Sequence, residues 1–454
     1  MSKPLSRLLN GEKSALLSLA RGWQRGAPNA SPATPKYDAQ SFEVLPAYQK
    51  MLTQRAAADE FNVKNPFFRP HEGRVGALTV IDGRECINFA SYDYLGLNHH
   101  PALAAAATAA MARYGTSVSA SRVVAGERPI IRDLEAALAR LYGTEDVIVF
   151  VSGHATNVSA ISTLTGPGDL ILHDALIHNS AMVGATLSGA ARRAFPHNDL
   201  DALQRMLEET RGAAKNVLII VEGLYSMDGD IPDLPRLLDI KQRFGAWLMV
   251  DEAHSLGVLG ATGRGTAEHF GVDPGRVDIW MGTLSKTLAS CGGYIAGSRP
   301  LVELLKFSAP GFVYSVGISP PLAGAAIAAI ERLAAEPERV AALADNGRFF
   351  LETARAAGLD TGFAAGYAVA PVMVGDSLRA VKLSERLLDR GVNALPIIYP
   401  AVPMQSARLR FFLMSTHTKA QMTQAIDVTR QELDTLKAQN FGLSRLAASI
   451  AERM

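Results

Sequence analysis

The sequence predicts an α/β protein with a mainly parallel sheet in a large domain, followed by a smaller C-terminal α+β domain. Three observations carry that prediction. From about Gly115 onward, short apolar β-rich runs alternate with amphipathic helical stretches, the pattern of a sheet covered by helices on both faces. Each run delivers polar residues just beyond its C-terminal end, where ligands bind in such sheets. After "ISPPLAGAAIAAIERLAAEP" the alternation stops, and shorter strands between two helices take over.

Taken in order, "MSKPLSRLLNGEKSALLSLARGWQRGA" spaces Leu5, Leu8, Leu9, Leu16, Leu19 and Trp23 at roughly helical intervals, with basic residues between them. This predicts an amphipathic helix that packs on its own domain or docks a partner or membrane surface. "PNASPATPK" reads as a flexible linker, so residues 1–55 form an N-terminal extension. The large domain spans 56–330, with a lead-in segment over 56–100. Within it "IRDLEAALARLYG" and "LPRLLDIKQRFG" are amphipathic helices. "EDVIVFVSG", "GDLILHDALIHNS", "KNVLIIVEGLYSMDGD", "AWLMVDEAHS", "VDIWMGTLSK" and "GGYIAGS" are strands with their polar ends. The small domain, 331–454, holds "GYAVAPVMVGD", "GVNALPIIYPAVP" and "ARLRFFLMSTHT", then a helix from about Lys419.

Bulk properties exclude several functions. Lys+Arg 45 against Asp+Glu 44 leaves a formal charge of +1, so no global field gathers nucleic acid. No apolar run approaches the ~20 residues of a bilayer span. Only Cys86 and Cys291 are present, too few for a disulfide framework and suited to a reducing, cytoplasmic setting.

The chemistry concentrates after the strands. Lys286 follows an apolar run and sits in "GTLSKTLASCGG" among small residues. A lysine whose pKa falls on burial becomes a nucleophile and Schiff-base former; a snorkelling surface lysine is the plain alternative. Asp251 follows "WLMV", where a carboxylate is costly unless paired, or else caps the next helix. His254 lies three residues further on. No second ligand pair accompanies them, so a metal site is not expected. A phosphate could be met by Gly153 and His154 at the start of a helix, by the Thr283 and Ser285 hydroxyls, or by Ser315 in "VYSVGISPP". Each of these is also an ordinary turn former. "GATGRG" lacks the lysine and hydroxyl of a nucleotide phosphate loop. His178 ends another strand, where it could stack on a flat ligand or serve structure. Arg408 and Arg410 alternate in "ARLRFFLM", so one of them is expected to face inward. There it could bind a carboxylate or form a structural salt bridge.

From about Asn88 to Glu432 these motifs, with "SYDYLGL" and "RLRFFLMSTHT", resemble the α-oxoamine synthases. These are pyridoxal-phosphate (PLP) enzymes of the type I aminotransferase fold. The resemblance implies Lys286 as the Schiff-base lysine, Asp251 on the pyridinium nitrogen, His254 and Ser226 near the phenolic oxygen, and His178 stacked on the ring. It implies Gly153, His154, Thr283 and Ser285 as phosphate ligands, with Ser315 entering from a second subunit of a homodimer. Arg410 would bind the amino-acid carboxylate. Three departures stand out. His154 replaces the family's usual Phe or Tyr. Tyr92, a substrate-side position, replaces asparagine as in serine palmitoyltransferases. Ala120 in "TSVSASRVVAGERP" and the segment "NPFFRPHEGRVGALTVIDG" resemble a polyketide-associated branch. The implied reaction is a decarboxylating Claisen condensation of serine, alanine or glycine with an acyl-CoA or acyl-carrier-protein thioester. It yields an α-amino ketone, CO2 and free thiol. An ordinary aminotransferase is the alternative. An inactive partner subunit would lack Lys286 or Asp251, and both are present.

Overall fold

The computed structural model describes residues 41–443 except Met404. The expected N-terminal docking helix and the "PNASPATPK" linker lie outside the described residues. A helix at Pro46–Glu60 crosses the expected end of the extension.

Among the described residues the chain builds three sheets. In chain order the strands are β1 (Leu78–Ile81), β2 (Arg84–Asn88), β3 (Asp146–Phe150), β4 (Leu170–Asp174), β5 (Ala191–Phe195), β6 (Val217–Glu222) and β7 (Trp247–Asp251). They continue as β8 (Ile279–Thr283), β9 (Gly293–Gly297), β10 (Val369–Gly375), β11 (Val392–Asn393), β12 (Leu395–Ile397) and β13 (Ala407–Phe412). The largest sheet has the order β3-β9-β8-β7-β6-β4-β5. Its β5-β4-β6-β7-β8 portion is parallel, and β9 runs antiparallel to both neighbours.

Alternation along these strands explains why both faces are covered. Val147, Val149, Leu172, Ile219, Val221, Leu248 and Val250 feed one core. Ile148, Phe150, Ile171, Leu218, Ile220, Met249 and Met281 feed the other. The predicted amphipathic helices form at Pro129–Tyr142 and Leu234–Phe244. Each stops at a glycine in the left-handed region, Gly143 at φ 64° and Gly245 at φ 58°, a conformation most side chains resist. Among the described residues no helix is long and apolar enough to cross a membrane.

The C-terminal strands form an antiparallel sheet, β10-β13-β12, packed by the helix Ser377–Asp389, which is itself packed by the helix Lys419–Ala438. A capping box starts the latter: Gln421 N donates to Thr418 Oγ1, and the Gln421 side chain accepts from Thr418 N. The expected boundary at residue 330 falls inside the helix Pro320–Ala335. The lead-in hairpin β1–β2 pairs through β2 with β11, so lead-in and C-terminal segments share a sheet.

Candidate active site

Parallel strands that end together present their terminal residues along one edge. β6 and β7 end in register at Glu222 and Asp251, and Asp251 lies opposite Met281 of β8. Lys286 follows three residues beyond the end of β8. At this edge lies a cavity of about 260 Å³ lined by Gly153, His154, His178, Asp251, His254, Thr283, Ser285 and Lys286. Eight of the residues expected from sequence therefore meet in one place. A larger cavity, about 570 Å³, opens at the opposite edge of the sheet. Its carboxylates are already engaged, Glu145 by Arg299 N and Asp278 by Lys241 Nζ and Leu248 N.

Electrostatics distinguish the smaller cavity. Burial pushes the Lys286 amine down to about 8, while the Asp251 and Glu222 carboxylates pull the other way. Burial, reinforced by the Asp251 charge, raises Glu222 to about 8. Asp251 is buried and accepts hydrogen bonds on both oxygens, from Asn157 Nδ2 at 2.8 Å and Ala253 N at 3.0 Å. His254 is buried with Nδ1 2.6 Å from the Tyr94 hydroxyl. Burial, then the Lys286 and Arg410 charges, drive its pKa well below the ordinary imidazole value. These causes favour the neutral imidazole.

One end of the cavity is built by the start of the helix Gly153–Leu164. Its N-cap, Ser152, takes the Ala155 N–H on its side chain and the Thr156 N–H on its carbonyl. The Gly153 and His154 amides have no acceptor within the helix. A Cβ on Gly153 would stand 2.8 Å from Thr283 Oγ1, so only glycine lets this helix end approach β8.

The remaining expected residues are placed less uniformly. The Lys286 Nζ lies 5.5 Å from the centre of the Tyr92 ring, and that ring packs edge-on against His254 and Phe412. Ser226 is buried, and its amide donates to Glu222 Oε2 at 2.9 Å. Ser315 does not line the cavity; it sits between the helices Pro310–Val313 and Pro320–Ala335.

The expectation that only one of Arg408 and Arg410 faces inward is corrected. Residues two apart on a strand share a face, and both side chains reach the loop after β6. Arg408 Nη1 donates to Asp228 Oδ1 at 2.5 Å and Met227 O at 3.2 Å. Arg410 Nη1 donates to Ser226 O at 2.8 Å, its guanidinium lies 4.4 Å over Phe412, and its Nε is buried without a partner. The other end of this loop is pinned by His197, whose Nε2 is 2.8 Å from Asp230 Oδ2 and whose Nδ1 is 2.9 Å from Asp174 Oδ1.

Sequence reasoning missed Glu222, Asn157, Ser180 and Tyr94, which all border or support this site. Glu222 had a signal: it ends the apolar run "NVLIIVE" just as Asp251 ends "WLMVD". The others carry none, because asparagine, serine and tyrosine are common in helices and turns.

A buried amine of lowered pKa, a carboxylate at the strand edge, paired hydroxyls and two free helix amides suit one ligand chemistry. They fit an aromatic aldehyde bearing a ring nitrogen and a phosphate, as in pyridoxal phosphate.

Comparison with known proteins agrees. The family model "aminotransferase class I and II" matches residues 84–428. The 8-amino-7-oxononanoate synthase of Symbiobacterium thermophilum is 42% identical over 348 residues, covering 77% of this chain and 88% of that protein. The serine palmitoyltransferase of Sphingomonas wittichii superposes with a TM-score of 0.83 at 30% identity, over 87% of this chain and 99% of that one. A serine palmitoyltransferase solved with PLP bound gives 0.82 at 28% identity, with the same shares covered. The chain belongs to the aminotransferase class I and II family, and within it to the α-oxoamine synthases, PLP-dependent acyltransferases of the type I fold.

Proposed function

We propose that this protein condenses a small amino acid (serine, alanine or glycine) with an acyl thioester, with loss of CO2 and release of free thiol, to give an α-amino ketone. The observation that carries the reading is the convergence of Lys286, Asp251, His254 and His178 on one cavity, with the Lys286 amine pushed down to about 8. The named activities of the relatives, 8-amino-7-oxononanoate synthase and serine palmitoyltransferase, support it.

When bound, PLP supplies an electron sink for negative charge at the substrate Cα. Lys286 Nζ would tether it, Asp251 would hold the proton on its ring nitrogen, and His178 would lie against the ring. His254 and Ser226 would serve its phenolic oxygen, and the Gly153 and His154 amides with the Thr283 and Ser285 hydroxyls would hold its phosphate. Once the substrate's amine has taken its place on the tether, the freed Lys286 amine, close to half neutral near pH 8, would remove the Cα proton of the bound amino acid and later return one. Arg410, with its buried unpartnered Nε, takes the substrate carboxylate. Tyr92, Phe412 and His254 wall the space beside Lys286 with aromatic rings, which favours a small side chain.

The working unit is a homodimer with a shared active site. Val124 and Tyr314 are 83% and 86% exposed on two segments joined by the bond from Gly317 N to Ala120 O. That leaves apolar surface beside Ser315 for a second copy, whose site Ser315 would enter.

The test is spectroscopic, then chemical. Holoenzyme is screened with alanine, serine and glycine for a shift of its visible band. Acyl-CoA and acyl-carrier-protein thioesters are then supplied separately, and thiol and CO2 release are followed. Keto-acid formation without thiol release would replace this reading with transamination.

A further inference from the structure

Two polar side chains outside the roles just assigned connect opposite parts of the site. Asn157 lies on the helix Gly153–Leu164 and Ser180 on the helix Asn179–Ser188, and both are buried. Asn157 Nδ2 lies 2.8 Å from Asp251 Oδ2 and 2.9 Å from Ser180 Oγ. Ser180 Oγ lies 2.7 Å from His178 Nδ1, and the Ser180 amide also donates to that nitrogen at 3.3 Å.

Donor counting gives this chain of contacts a direction. An amide oxygen facing Asp251 would set two acceptors against each other, so the Asn157 NH2 faces the carboxylate. Its two hydrogens are then spent, one on Asp251 and one on Ser180 Oγ. Its Oδ1 is left buried without a partner, so these two donated bonds hold the side chain. Ser180 Oγ, having accepted from Asn157, donates its own proton to His178 Nδ1. The Ser180 N–H aimed at the same nitrogen requires Nδ1 to be bare. His178 therefore carries its ring proton on Nε2.

We propose that Asn157 and Ser180 are positioning residues that join Asp251 and His178 into one hydrogen-bonded unit, fixing the Asp251 carboxylate and the His178 tautomer together. The inference rests on the proposed PLP chemistry for its purpose, though its geometry stands without it. The fold supplies the contact by close helix packing. A Cβ on Gly184 would fall 2.9 Å from Asn157 O and 3.0 Å from Ile161 Cβ, so glycine there lets the two helices meet. The charged and titratable groups around the unit are Glu222 on β6, His254 after β7, Lys286 beyond β8, His154 and Arg410.

Two readouts test it. In apoenzyme labelled with 15N-histidine, His178 should show a bare, hydrogen-bonded Nδ1 and a protonated Nε2, and Ser180→Ala should mix the tautomers. A wild-type His178 protonated at Nδ1 overturns the proposal. In PLP-loaded enzyme, Asn157→Leu should move the pH titration of the visible band upward by about one unit, the size expected for a lost charge-assisted hydrogen bond. Asn157→Ser provides a smaller substitution should the leucine variant misfold. Titrations matching wild type in a folded variant also overturn it. Should wild-type protein take up no PLP at all, the proposed function fails, while the apoenzyme histidine spectrum still decides this inference.

Discussion

His197 offers a quantitative test of what holds the loop after β6. Its ring bridges Asp174 and Asp230 and its side chain is only 12% exposed. Burial alone would lower its pKa, but the hydrogen bonds its ring donates to the two aspartates, and their charges, outweigh burial and raise it to about 10. The sign follows from linkage. A pKa raised from about 6.5 contributes stability that is fully present below pH ~6.5 and is lost as pH rises through ~10. The rise corresponds to at most about 5 kcal/mol, and removing one partner of a buried charge cluster costs about 3–5 kcal/mol. The substitution His197→Gln should therefore destabilise by about 3–5 kcal/mol at pH 6 and by roughly 1 kcal/mol at pH 10.5. At that higher pH the wild-type ring is itself mostly neutral. Urea unfolding followed by tryptophan fluorescence at both pH values measures the difference. A loss below about 1 kcal/mol at pH 6, or one that does not shrink with pH, would refute the argument.

Three further outcomes follow from the site. Because the neutral amine is the nucleophile and Lys286 sits near 8, PLP uptake by apoenzyme should speed up as pH rises towards 8 and level off above it. Stopped-flow absorbance checks this. Arg410→Gln should raise KM for the amino acid by about 10–100-fold, the scale of a lost charged hydrogen bond, with a smaller effect on KM for the thioester. Gly153→Ala would put a Cβ 2.8 Å from Thr283 Oγ1 and push the helix amides away. PLP affinity, measured by fluorescence titration, should fall about tenfold or more, as a charge-bearing contact is lost.

Much of this was legible because strands buried on both faces write themselves as unbroken apolar runs. Strands β3, β4, β6, β7, β8 and β9 form where such runs stand, and the residues at and just beyond their cavity-side ends make the cavity. β5 was not visible: "ARRAF" is an edge strand exposed at four of five positions, so it has no apolar run to read. The β1–β2 hairpin was also missed, although Asp82 and Gly83, at φ 51° and 70°, form the Asp-Gly turn typical of hairpins. The Asn157–Ser180 contact was illegible for another reason. It depends on two helices meeting at Gly184, and nothing in either helix's own sequence states the partner.

The pairing of β2 with β11 also bears on how the chain is made. Asn393 Nδ2 donates to Asn88 Oδ1 across 305 residues of sequence. At synthesis rates of about 5–20 residues per second, β11 leaves the ribosome roughly 15–60 s after β2. During that interval β2 has only β1 beside it, and its other edge is open to strands of other nascent chains. Slowing translation between the two should lengthen this exposed period and favour aggregation over yield, without altering one contact of the finished enzyme.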